Sequence, residues 1–327
     1  STTTSEETFT ISGMLIIEGQ LENTGTFNIP GLMIINGQFV NTGALNYGEV
    51  IDSSPTVLTD TSDDDILNGT SGIDDISAGV GADVVYALAG TDTITLTGNT
   101  THDGKFAHNV GSTTQVATNT QISLVGKVKL ETVIDGGADA DTVNLSSGND
   151  AFFLHDSFSG FHSSLTLTTD THTGGASTQR IMNVETINGL GGDDIIDLTS
   201  PDYSLAGQVI TINGGTGNDV IWGSDATETI IGGAGNDILF GGSGNDILTG
   251  GSGADTFEFT VTARSDTITD YSHSDGDILK FYRRGEYEGD KEATISAGVV
   301  TFGSVTIDLG DTSLTSLDLL NVEYAII

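Results

Sequence analysis

The sequence predicts an all-β protein built as a parallel β-roll, a solenoid in which short strands stack coil upon coil. Three observations predict it. Blocks of nine residues recur along the chain, each a glycine-rich half followed by a triplet with an apolar centre. Residues 13 to 48 hold a second repeat with a period of 18, twice nine. The chain is also 36% hydrophobic despite a net charge of −37, too apolar to be read as disordered.

The N-terminal segment, residues 1–50, contains GMLIIEGQLENTGTFNIP from Gly13 and GLMIINGQFVNTGALNYG from Gly31. An 18-residue coil continues a solenoid of nine-residue blocks at matching width. Leu15, Ile17, Met33, Ile35, Phe27 and Leu45 are its expected inward residues, and the segment is expected to act as a cap or a stacking surface.

The nine-residue blocks fill residues 51–258 in four runs, 60–95, 136–153, 188–196 and 214–258. The last run reads GGTGNDVIW, GSDATETII, GGAGNDILF, GGSGNDILT and GGSGADTFE. Aligned on the sixth position, the blocks give Asp65, Asp74, Asp83, Asp92, Asp141, Asp150, Asp193, Asp219, Asp237, Asp246 and Asp255, with Glu228 as the one exception. The eighth position, which was not used to set the register, is apolar in all twelve, from Leu67 to Phe257. Chance would produce that about once in 10⁵ or less, so the repeat is real.

Each residue type has a mechanical reason. Glycines at the first, second and fourth positions allow positive φ; in the last run these are Gly214, Gly215, Gly217, Gly232, Gly233, Gly235, Gly241, Gly242, Gly244, Gly250, Gly251 and Gly253. Turns rich in backbone carbonyls, with one carboxylate per block, supply hard oxygen ligands that suit Ca²⁺. The triplet is a strand whose middle side chain points inward. Two blocks make one coil, so a calcium ion would sit between a turn and the next turn on the same side. Asp65 then pairs with Asp83 and Asp74 with Asp92; Asp219, Asp237 and Asp255 line one side of the roll, Glu228 and Asp246 the other. The block from Gly223 lacks two consensus glycines and is expected to be a poor site.

On these residues the chain resembles the repeats-in-toxin (RTX) family of secreted bacterial proteins with calcium-binding β-rolls. The resemblance implies several bound Ca²⁺, export by type I secretion with a C-terminal signal, and folding on contact with extracellular calcium. The closing segment from Ser313 to Ile327, with its apolar end, is similar to such signals. The N-terminus has neither a basic nor an apolar region, which predicts no Sec-type signal peptide.

Two excursions, 96–133 and 154–187, interrupt the blocks and are rich in Thr, Ser and His. They are expected as loops or hairpins on one face, where recognition residues tend to lie. Residues 259–327 lose the glycine density and show strand patterns, a β-rich C-terminal cap.

Composition excludes several classes. With 46 acidic against nine basic residues, nucleic acid is not a partner. No cysteine is present for disulfides, and no apolar run approaches the roughly 18 to 20 residues of a membrane span. No H-E-x-x-H, G-x-S-x-G or phosphate-loop motif occurs, so no catalytic residue is assigned. Trp222, the single tryptophan, reads as a partly buried aromatic on the roll face rather than a sugar platform. The functional expectation is a secreted, calcium-dependent structural or adhesive surface protein that self-assembles, with copies of itself and cell-surface polysaccharide as partners. The alternatives are a module of a polysaccharide-active enzyme and a soluble receptor- or glycan-binding effector.

Overall fold

The structure is a computed structural model. It describes residues 8–11, 15–17, 20–23, 26–35, 38–41, 45–52, 56–59, 65–97 except 82, 105–107, 121–123, 126–154 except 131, 179–283 except 201, 202 and 261–263, and 293–326 except 312 and 317–319. These residues form 32 strands and no helix. Among the described residues, therefore, no helix is long and apolar enough to cross a membrane.

The fold is the expected all-β parallel roll. One sheet of fourteen strands runs through it, from Gln20–Asn23 at one edge to Thr294–Ser296 at the other. All its pairings are parallel except the closing meander of Thr294–Ser296, Val299–Phe302 and Val305–Asp308. Thr8–Thr10, Leu15–Ile17, Thr26–Ile35 and Leu45–Asp52 form a separate N-terminal sheet. From residue 66 on, the long sheet's partners are a four-stranded sheet (Ile66–Asn68, Val84–Tyr86, Val133–Asp135, Ile181–Met182) and an eight-stranded sheet from Val128–Lys129 to Asn321–Ile326.

The partner of the long sheet thus changes along the chain. Early coils face the four-stranded sheet and late coils the eight-stranded one. Between residues 128 and 197 the chain visits all three sheets in turn, so the coil is three-sided there. The phrases Leu130-Glu-Thr-Val-Ile-Asp and Val184-Glu-Thr-Ile-Asn, alike in sequence, fall on different sheets: Val133–Asp135 joins the four-stranded sheet and Thr186–Asn188 the long one.

The triplets form the strands because their centres pack inward. All twelve eighth-position residues are buried, and eleven of them, all but Leu67, have no exposed surface. All but Ile195, whose place is taken by Ile196, belong to one continuous core in which Ile94, Val143, Ile187, Ile212 and Ile230 stack strand on strand.

The parallel stacking runs on past Glu258: Arg264–Ile268 joins the long sheet and Ile278–Arg283 the eight-stranded one. Near the N-terminus, Gln20 pairs with Gln38 and Leu15 with Met33, in keeping with an 18-residue coil. Of the inward residues expected there, the side chains of Ile17, Met33, Ile35, Phe27 and Leu45 lie outside the described residues. In the first excursion Lys105–Ala107 and Gln121–Ser123 form an antiparallel hairpin. Residues 155–178 of the second lie outside the described residues.

Candidate metal centre

The sixth-position carboxylates form ladders along the edges of the roll. In each, one carboxylate oxygen accepts the backbone N–H of the carboxylate residue one coil earlier. On the long sheet the N–H of Asp74 reaches Asp92 Oδ1 at 2.8 Å, that of Asp92 reaches Asp141, and that of Asp141 reaches Glu185. After a gap, Glu228 N–H donates to Asp246 and Asp246 N–H to Asp266. On the eight-stranded sheet six carboxylates follow without a break: Asp150, Asp194, Asp219, Asp237, Asp255 and Asp277. A fourth ladder, on the four-stranded sheet, holds Asp65 and Asp83.

The expected pairings of 65 with 83, 74 with 92, and 219 with 237 and 255 therefore all occur. Asp193 is the exception. It stands one position earlier in its turn, and Asp194 holds the ladder place. Glu185, Asp266 and Asp277 were also missed; each opens an acidic-x-apolar triplet (Glu185-Thr-Ile, Asp266-Thr-Ile, Asp277-Ile-Leu) but lacks the glycines before it. The break in the long-sheet ladder is Ile210, which pairs in register with Glu228.

The second oxygen of these groups is the notable one. Asp92, Asp141, Asp194, Asp219 and Asp237 are buried to 1% exposure or less, and in each Oδ2 has no hydrogen-bond partner. A buried carboxylate oxygen left unpaired costs several kcal/mol. Burial accordingly pushes the carboxyls of Asp219, Asp237 and Asp255 up to about 6, that of Asp141 up to about 7 and that of Asp194 up to about 8. Asp92 and Asp150 are raised for the same reason.

The glycines shape the space around that oxygen. In the block from Gly232, a Cβ there would overlap Asp237 Oδ2. Gly233 and Gly235, at φ 115° and 142°, bring the turn so close to the coil below that a Cβ on either would overlap a carbonyl oxygen, of Gly215 or Gly217. Gly214, Gly215, Gly217, Gly241, Gly242, Gly244, Gly250, Gly251 and Gly253 stand in equivalent places.

Among the described residues no three acidic or histidine side chains converge on one point. A site between two turns would therefore combine single carboxylates with backbone carbonyls. Unpaired carboxylate oxygens beside stacked carbonyls are hard donors, and they fit Ca²⁺ rather than a softer metal. A scan against protein-family models finds four copies of the RTX calcium-binding nonapeptide repeat, at residues 59–94, 133–152, 211–227 and 222–257. The chain carries RTX calcium-binding repeats. No curated protein matches the chain.

Two further groups bear on the RTX ladders. Fifth-position side chains run a second ladder of opposite sense, which sequence reasoning treated as variable. Asn149 Oδ1 accepts Asp193 N–H, Asp193 Oδ1 accepts Asn218 N–H, and Asn218 Oδ1 accepts Asn236 N–H, at 2.7–2.9 Å. The buried Lys127 ammonium donates to the Asp193 carbonyl, within the field of Asp150, Asp193, Asp194 and Asp219. It is an internal cation at the start of the longest ladder. Trp222 has no exposed surface and offers no sugar platform.

Proposed function

We propose that the protein is a secreted, calcium-dependent structural or adhesive protein of the bacterial cell surface. It folds when calcium binds outside the cell, after type I export, and associates with further copies of itself. The observation that supports this best is the extent of the roll. One sheet takes fourteen strands, and its coils carry the carboxylate ladders, so the described residues are given over to scaffold.

The two ends of the long sheet differ. One is turned back by the antiparallel meander of residues 294–308, whereas among the described residues the other ends on the parallel strand Gln20–Asn23. That strand keeps the coil's own 18-residue register and leaves an edge on which the coil of a second copy could add. Anionic surface polysaccharide would meet the acidic roll through bridging calcium.

Electron microscopy of the purified protein tests this reading. Ordered sheets or fibres are expected in millimolar calcium and not in EGTA. Monodisperse monomers at high protein concentration in calcium would overturn it.

A further inference from the structure

The carboxylate ladders have a direction. Every later rung accepts the N–H of the rung before it, and the first carboxylate of a ladder has no acidic residue paired with it one coil earlier. Asp74, Asp150 and Glu228 are such first rungs. The residues paired with them one coil earlier are Thr56, Val128 and Ile210, none of them acidic.

The same side-chain network closes the turn at all three. Four residues before each carboxylate stands a serine or threonine whose N–H and hydroxyl both donate to it. Thr70 N and Oγ1 lie 2.6 and 3.1 Å from Asp74 Oδ2. Ser146 N and Oγ lie 2.9 and 2.7 Å from Asp150 Oδ2. Ser224 N lies 3.0 Å from Glu228 Oε1, and its hydroxyl donates to the same oxygen. In each case the hydroxyl oxygen then accepts the N–H two residues on, from Gly72, Gly148 or Ala226, at 3.0–3.1 Å.

Interior rungs on these edges are built differently. Their turns hold glycine or leucine at this place, in the left-handed region, from Leu190 at φ 69° to Gly233 at 115°. In the turn of Asp65, which opens the remaining ladder, the sequence again has a threonine four residues earlier, Thr61.

We propose that Thr70, Ser146 and Ser224 are ladder caps. They close the first turn of each ladder with protein hydrogen bonds in place of a metal contact, so calcium binds only between successive rungs. This rests on calcium binding by the repeats and is independent of self-assembly. The caps fix where each row of sites begins.

The test uses the full chain, with bound calcium counted by equilibrium dialysis and folding followed by circular dichroism at fixed calcium. Thr70→Gly, Ser146→Gly and Ser224→Gly each restore the glycine common at interior turns. The expected result is an unchanged calcium count and a roughly tenfold fall in the folded-to-unfolded ratio, the size of a lost hydrogen bond to a charged group. Thr70→Ser, Ser146→Thr and Ser224→Thr keep the hydroxyl and should behave as the wild type. A glycine variant that fails to fold in calcium while its hydroxyl-bearing counterpart folds also supports the caps. An extra bound ion and folding at lower calcium in any glycine variant would overturn the proposal. So would hydroxyl-bearing variants as weak as the glycine ones.

Discussion

Protons should fold the calcium-free chain. Burial raises the carboxyls of Asp194 and Glu228 to about 8 and that of Asp141 to about 7. In the unfolded chain the same groups titrate near 4. Between those limits the folded state holds more protons, so its stability falls as pH rises through the folded values and is recovered on acidification. For these three groups alone, moving from pH 7 to pH 6 should favour the roll by about 4 kcal/mol. That is a large share of the roughly 5–15 kcal/mol that holds an ordinary domain together. Circular dichroism in EGTA from pH 8 down to pH 5.5, with sedimentation to confirm a monomer, should show β structure growing in. The sequence pI of about 4.1 sets the lower limit, because the chain loses its solubilising charge there. The triple variant Asp141→Asn, Asp194→Asn, Glu228→Gln should lose most of the pH response. A signal flat across the range, with a compact chain appearing only in calcium, would refute the reasoning.

Other perturbations follow from single contacts. Gly235→Ala puts a Cβ into the Gly217 carbonyl at φ 142° and should cost about 3 kcal/mol or more in calcium, whereas Gly207→Ala, at φ 89° with open space around it, should cost about 1 kcal/mol, both read from thermal melts. Asn236→Ala removes the acceptor for Ala254 N–H and should cost about 1 kcal/mol without changing the calcium count. Lys127→Met takes the internal cation from the start of the longest ladder and should raise the calcium concentration needed for folding. Lys280→Met strips the buried Glu258 of an ion pair at 2.8 Å and should destabilise more than Glu258→Gln, which keeps an acceptor for the Tyr282 hydroxyl, again by melts.

The ladders were legible because they repeat. An aspartate two residues before a buried apolar centre marks a turn wherever blocks run on without interruption, and every pairing inside such a run occurs. The block at 188–196 slipped by one residue for a physical reason: Asp193-Asp194 and Ile195-Ile196 are doubled, and both isoleucines are fully buried. Gly192, at φ 112°, fills the place of Gly217 and Gly235 and was the available signal. The three-sided section could not be read, because rungs there lie 49, 44 and 25 residues apart in place of 18, and no fixed period spans them. Glu185, Asp266 and Asp277 show that the triplet outlasts the glycines: once neighbouring coils set the register, a turn need not repeat the consensus to place its carboxylate.

The two side-chain ladders explain why the coils should fold together. A carboxylate accepts an N–H from the coil before it and a fifth-position asparagine oxygen accepts one from the coil after it, so an interior turn such as Asn236-Asp237 is tied in both directions. An isolated coil would leave buried carboxylate and N–H groups unsatisfied at once. The gap at Ile210 does not divide the roll, because the opposite edge carries Asp194 to Asp219 across the same coil at 2.8 Å. Ladders that break at different coils on different edges overlap like staggered joints. Calcium bound on one edge therefore supports coils whose other edge has just begun a new ladder, and folding should spread past Glu228 from the Asp150 row.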